Sequence, residues 1–174
     1  LFQVMRKVFE PSFDSPLRLH GVGGYFEIMD LMQLNHDALF QYSIHGSQAQ
    51  FQQSVAAGES QLIYIEPVYT RLGRIEVFDM EGFFRAWATR PASIPTAIVL
   101  DTTFVGNRFP VGEFLERLAP QLPRLVIQAS STLKLDQEGL EFSNAGLMTL
   151  YSTAEPLVSG VATRLRQYRA MTGR

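Results

Sequence analysis

The chain of 174 residues contains no cysteine and no long apolar run. Without cysteine it can form no disulfide, no thiol nucleophile and no thiolate metal site. No stretch approaches the roughly twenty apolar residues that a membrane-spanning helix needs. The first residues lack the pattern of a secretory signal peptide. We therefore expect a protein of the reducing cytoplasm that does not partner a membrane.

Charge is also scarce, at 18% of residues with a net charge of −2. Such a balance gives no basic surface for nucleic acid, so we expect no nucleic-acid partner. With 46% hydrophobic residues the chain is typical of a globular protein rather than a disordered one. Its three histidines, His20, His36 and His45, have no metal-ligand spacing, so no metal site is expected.

Apolar runs with strand character alternate with stretches of helical periodicity along the whole chain. The predicted strands cover 61–67, 97–101, 125–129 and 145–151. The predicted helices cover 25–32, 47–57, 77–88, 113–118 and 153–171. This alternation predicts one α/β domain spanning residues 1–174, with a largely parallel sheet.

Two of these apolar runs carry charge only where they end. Asp101 closes the run that begins at Ala97, and Lys134 closes the run that begins at Leu125. Open α/β sheets bind ligands outside the carboxyl ends of their strands, so the acid and the amine are expected to face one crevice. A pyridoxal-phosphate site needs this pair, because the amine forms a Schiff base and the carboxylate keeps the pyridine nitrogen protonated.

Lysine is rare enough to make Lys134 distinctive. Of 15 basic residues only Lys7 and Lys134 are lysines, so the chain uses arginine wherever positive charge alone is needed. Arginine cannot replace a Schiff-base lysine, because its guanidinium stays protonated. A lysine just after a strand is more often a solvated loop residue. The residues around Lys134 and the acid at Asp101 favour a functional role for this lysine.

Four short motifs resemble those of one enzyme family in the same order. They are Gly-Gly-Tyr-Phe at 23–26, Leu-Ile-Tyr-Ile-Glu-Pro at 62–67, Asp-Thr-Thr-Phe at 101–104 and Ser-Thr-Leu-Lys at 131–134. Residues 23–173 thus resemble the central part of the large domain of fold-type I pyridoxal-phosphate enzymes. Within these, the resemblance is greatest to the cystathionine synthase and lyase group of Cys/Met metabolism.

This resemblance implies a fold and a set of site residues. The fold would be part of a three-layer α/β domain with a mostly parallel sheet. Lys134 would carry pyridoxal phosphate, Asp101 would meet the pyridine nitrogen, and Ser131 would hold the phosphate. Thr103 belongs to the aspartate motif and is expected at the cofactor. His20 is the nearest planar side chain to the position of the family's stacking aromatic ring.

The resemblance also implies a reaction class and leaves two alternatives open. The expected substrate is an amino acid, and the reaction is β- or γ-elimination, replacement or transamination, in a homodimer. The family's Gly-rich phosphate loop is missing from residues 1–19, and its small domain would follow residue 174. We therefore expect the chain to be the middle of a longer enzyme. The alternative is a degenerate domain with a structural or interaction role.

Overall fold

The structure is a computed structural model that describes residues 17–22, 40–71, 73–94, 96–131 and 146–172. The strands are β1 (Leu17–Gly21), β2 (Phe40–Ile44), β3 (Leu62–Ile65), β4 (Val68–Arg71), β5 (Arg74–Val77), β6 (Ala97–Asp101), β7 (Leu125–Ser131) and β8 (Gly146–Tyr151). The helices are α1 (Gln48–Ala56), α2 (Met80–Thr89), α3 (Val111–Leu118) and α4 (Glu155–Thr172). Labels count the described elements only. The helix predicted over 25–32 lies outside the described residues.

Six of the strands form one sheet in the order β2-β1-β3-β6-β7-β8. All neighbouring pairs are parallel except β7 and β8, which run antiparallel. Strands β4 and β5 form a separate antiparallel hairpin. The prediction of an α/β fold with a mostly parallel sheet is therefore confirmed.

Helices cover both faces of this sheet, which gives three layers. The face against α1, α2 and α3, called here the α1–α3 face, receives Ile63 and Ile65 of β3 and Ile98 and Leu100 of β6. The face against α4, called the α4 face, receives Leu62, Tyr64, Ala97, Val99, Leu125 and Ile127. Val161 of α4 packs in the same cluster. Successive side chains of a strand point to opposite faces, so the position within the strand decides which face each residue joins.

The α1–α3 face is packed with aromatic rings. Phe83 stacks nearly parallel on Phe114, with ring centroids 6.2 Å apart, and lies 6.3 Å from Phe51. Trp87 is buried beside it and donates its indole N–H to the carbonyl of Gln121 at 3.0 Å. Each aromatic pair of this kind adds about 0.5–1.5 kcal/mol beyond its buried area. These contacts anchor the helices against the sheet.

Helix α2 begins later than its apolar pattern predicts. The prediction began the helix at Val77, but Val77 ends strand β5 and the helix begins at Met80. The carboxylate of Asp79 accepts the backbone N–H of Gly82 at 2.9 Å and so caps the helix. This bond, with a contact to Gln52, lowers the pKa of Asp79. The prediction missed both strands of the β4–β5 hairpin.

Helix α1 ends close to a glycine. Gly58 lies just beyond Ala56 with a φ of 70°, the left-handed conformation that favours glycine after a helix. In the described ranges, no helix combines the length and the apolar character required to cross a membrane.

Candidate active site

Asp101 and Ser131 end two neighbouring strands at the carboxyl edge of the sheet. Strand β6 pairs with β7 so that Asp101 lies opposite Ala129, two residues before Ser131. Because side chains alternate between the two faces along a strand, both of these side chains lie on the α4 face. Given strand spacing and rise, their Cα atoms are about 8 Å apart. The structure therefore brings these two predicted site residues to one face of one edge.

Hydrogen bonds fix both oxygens of the Asp101 carboxyl group. Oδ1 accepts the backbone N–H of Thr103 at 2.9 Å, and Oδ2 lies 3.0 Å from the hydroxyl of Tyr64. The side chain is half-buried. A carboxylate offers about four lone-pair sites, so two acceptor positions remain for a ligand donor. Asp101 is thus a held acceptor at the open edge of the sheet.

Tyr64 joins Asp101 to a second acid. The Tyr64 hydroxyl lies 2.5 Å from Oε1 of Glu66, and both Tyr64 and Glu66 are buried. Burial raises the pKa of Tyr64 far above its usual range, and the charges of Asp101 and Glu66 add to that shift. The hydroxyl therefore keeps its proton and serves as a donor. We refer to Glu66, Tyr64 and Asp101 as the acid–tyrosine cluster.

Thr103 links the ends of the two strands. Its Oγ1 accepts the backbone N–H of Ser131 at 3.0 Å. The preceding residue, Thr102, is buried and donates its own N–H to the carbonyl of Ala129 at 2.8 Å. The pairing of β6 and β7 thus continues past the last strand residue. As a result, Asp101 and Ser131 are held by the same short turn.

His20 is the penultimate residue of β1 and lies on the opposite face. It pairs with Ile63, a residue of the α1–α3 face, and its Nδ1 lies 2.6 Å from the Ser54 hydroxyl of α1. The same nitrogen is 2.9 Å from Nε2 of His45. Burial, and then the charge of His45, lower the pKa of His20 to about 4. The structure does not bring His20 together with Asp101, and its stacking role stays a prediction.

Lys134 lies outside the described residues, so its predicted role also stays a prediction. Sequence reasoning assigned neither Tyr64 nor Glu66 to the site. A signal was present: a tyrosine inside a buried apolar strand needs a partner for its hydroxyl. Because Tyr64 and Glu66 are two residues apart, alternation places them on one face.

Comparisons with solved structures place this fold among known enzymes. An aromatic-amino-acid aminotransferase from Burkholderia pseudomallei, covalently bound to pyridoxal phosphate, matches 97% of the chain with a TM-score of 0.66 and 9% identity. A methionine gamma lyase from Micromonospora echinospora matches 98% with a TM-score of 0.55 and 17% identity. A ureidoglycine-glyoxylate aminotransferase from Bacillus subtilis matches 92% with a TM-score of 0.52 and 12% identity.

These matches show a shared fold. The chain has the three-layer α/β fold of the large domain of fold-type I pyridoxal-phosphate enzymes, and a lyase and aminotransferases match it alike. It spans 44%, 42% and 38% of the aminotransferase, the lyase and the ureidoglycine enzyme, respectively. No protein-family model and no curated protein matches the sequence.

Proposed function

We propose that this chain is the cofactor-binding part of a pyridoxal-phosphate enzyme that acts on an amino acid. The observation that carries the proposal is the fixed carboxyl group of Asp101 at the carboxyl edge of this fold. Both of its oxygens are already oriented by Thr103 and Tyr64, and acceptor positions remain. This suits the N–H of a protonated pyridine ring, the donor that a pyridoxal-phosphate site presents to an acid.

The other residues of the proposed site would divide the remaining tasks. Ser131 would donate to the phosphate from the adjoining strand end, where Thr103 holds its backbone. Lys134 follows Ser131 by three residues, which span at most about 11 Å when fully extended. Its amine would attach the cofactor and then move the substrate's α-proton as general base and acid.

When bound, the cofactor supplies an electron sink for the carbanion formed at the substrate's α-carbon. Asp101 would stabilise the positive charge of the ring and so maintain that sink. The proposed reactions are β- or γ-elimination, replacement and transamination, which all begin with loss of the α-proton. The resemblance to the Cys/Met group supports elimination or replacement, and the match to the aromatic-amino-acid aminotransferase supports transamination.

An absorbance titration with pyridoxal phosphate tests the proposal. We expect the purified chain to develop the visible band of covalently bound cofactor and Lys134→Ala to lack it. Lys7→Ala is the matched control, because Lys7 is the other lysine of the chain and should leave the band unchanged. A chain that stays colourless with added cofactor would favour the alternative of a structural domain that has lost the chemistry.

A further inference from the structure

The loop between β6 and α3 forms a cavity of about 630 Å³, which is lined by residues 104–110 and is called here the loop pocket. Pockets that bind small molecules typically have volumes of about 300–1,000 Å³. The lining begins just after Asp101, and the backbone N–H groups of Val105 and Gly106 return to the carbonyl of Thr102 at 3.1 Å and 2.6 Å. The loop pocket therefore lies beside the carboxyl edge of the sheet.

The walls of the loop pocket are held by contacts within the protein. Gly106 has a φ of 55°, a left-handed conformation that favours glycine, and it begins a short helical turn that ends at Arg108. The ring of Phe109 packs edge-on against the buried Phe114 of α3, with ring centroids 5.8 Å apart. The carbonyl of Phe109 accepts the backbone N–H of Val111 at 2.8 Å. A pocket formed in advance in this way costs a ligand little free energy of ordering.

Two kinds of side chain give the loop pocket its chemistry. Phe104 and Phe109 supply aromatic rings, and Phe104 is 42% exposed. Arg108 supplies an exposed guanidinium group, which has neither a hydrogen-bond partner nor an ion-pair partner within the described ranges. A guanidinium group presents its N–H donors in a fork that matches the two oxygens of a carboxylate. Aromatic rings pack favourably against another ring. The lining therefore suits a ligand that combines a ring with a carboxylate.

We propose that the loop pocket binds an aromatic carboxylate, with Arg108 on its carboxylate group and Phe104 and Phe109 on its ring. The role of this ligand follows from the place of the pocket in the fold and rests on the proposed function. Asp101 is the proposed cofactor contact, so a ligand in the loop pocket lies beside the cofactor. Under that function the ligand is the substrate, which is therefore an aromatic amino acid.

Fluorine NMR with para-fluorinated phenylpropionate tests the binding on the purified, cofactor-free chain. We expect the fluorine signal to shift and to saturate with a dissociation constant of about 1 mM. The neutral amide of the same acid should bind about tenfold more weakly, because it lacks the charge that Arg108 recognises. Equal affinity for the acid and the amide, or no binding of the acid, would overturn the proposal.

Variants separate the loop pocket from the rest of the surface. Arg108→Gln should weaken binding of the acid about tenfold and binding of the amide less than about threefold. Arg74→Gln is the matched control, because Arg74 is an exposed arginine on the separate β4–β5 hairpin. Phe104→Leu should weaken binding of the acid and of the amide alike, because both lose a ring contact. An affinity for the acid that Arg108→Gln leaves unchanged would overturn the assignment of this arginine.

The substrate role has its own readout. Free phenylalanine should displace the fluorinated acid from the chain, and free alanine should not, because alanine has no ring. Equal displacement by the two amino acids would overturn the aromatic specificity. A chain that binds the acid but attaches no cofactor to Lys134 would overturn the proposed function and leave the pocket assignment intact. A chain that attaches the cofactor but does not bind the acid would overturn the pocket assignment alone.

Discussion

The two faces of the sheet carry different polar clusters at the same carboxyl edge. On the α4 face, Asp101, Tyr64 and Glu66 form a cluster of acids around one hydroxyl. On the α1–α3 face, His20 and His45 meet beside Ser54. One cluster presents a half-buried carboxyl group, whereas the other ties its buried imidazole to protein groups. Under the proposed function the cofactor contact belongs to the α4 face, and the histidine cluster lies on the other side of the sheet.

The largest expected difference concerns the cores beneath these clusters. Phe83 packs against several rings of the α1–α3 face, and Val161 of α4 is buried against the α4 face. Phe83→Ala should lower the free energy of unfolding by about 3–5 kcal/mol, and Val161→Ala by about 2 kcal/mol. Urea denaturation followed by circular dichroism measures both. Equal losses would remove the contrast between the aromatic and aliphatic cores.

The second difference concerns the cofactor. Asp101→Asn should weaken pyridoxal-phosphate binding about ten- to a hundredfold, because a charge-assisted hydrogen bond contributes about 1.5–3 kcal/mol. His20→Gln, on the other face, should change the affinity less than threefold. The absorbance titration compares them directly. A large loss in His20→Gln with none in Asp101→Asn would reverse the assignment of the faces.

The third difference is in pH dependence. His20 has a folded pKa of about 4, against 6.5 for an ordinary histidine. Between these values the unfolded chain binds a proton that the folded chain does not, so stability is complete above pH 6.5 and falls as the pH decreases towards 4. The groups that act on His20 are His45, Glu59 and Arg18. We expect a loss of about 3 kcal/mol by pH 4.

Urea midpoints between pH 7 and pH 4 measure this loss. His20→Gln should reduce the decline, because the substituted side chain does not titrate. An identical decline in wild type and His20→Gln would show that other groups, such as carboxylates, account for the acid sensitivity.

The smallest expected effect lies beside the edge on the α1–α3 face. The Tyr151 hydroxyl donates to Gln128 Oε1 at 3.0 Å, and Gln128 in turn donates to Thr102 Oγ1 at 3.3 Å. Tyr151→Phe should cost about 1 kcal/mol in unfolding free energy and leave cofactor affinity unchanged. A clear loss of affinity in this variant would mean that both faces contribute to the proposed site.

Much of the sheet could be predicted from the sequence. The apolar runs that contain Leu100 and Ile127 are buried on both faces and pair in parallel, as their lack of charge predicts. Strands β1 and β2 were missed, because they are short and carry polar residues. The β4–β5 hairpin was missed because Val77 also fits the helical periodicity of α2.

The candidate site could be predicted only in part. Asp101 and Ser131 share an edge because neighbouring parallel strands end together. The face that His20 occupies depends on its pairing with Ile63, which periodicity within one strand does not reveal. Tyr64 emerges as a partner of Asp101 only once β3 and β6 are known to be adjacent. Pairing and register are therefore the information that the sequence pattern lacks.

The most direct test of the proposed function is to locate the attached cofactor. The chain is incubated with pyridoxal phosphate, reduced with borohydride, digested and mapped by mass spectrometry. The proposal predicts the reduced adduct on the peptide that contains Lys134, at near-stoichiometric yield. An adduct spread equally over Lys134 and Lys7, or no adduct, would contradict it.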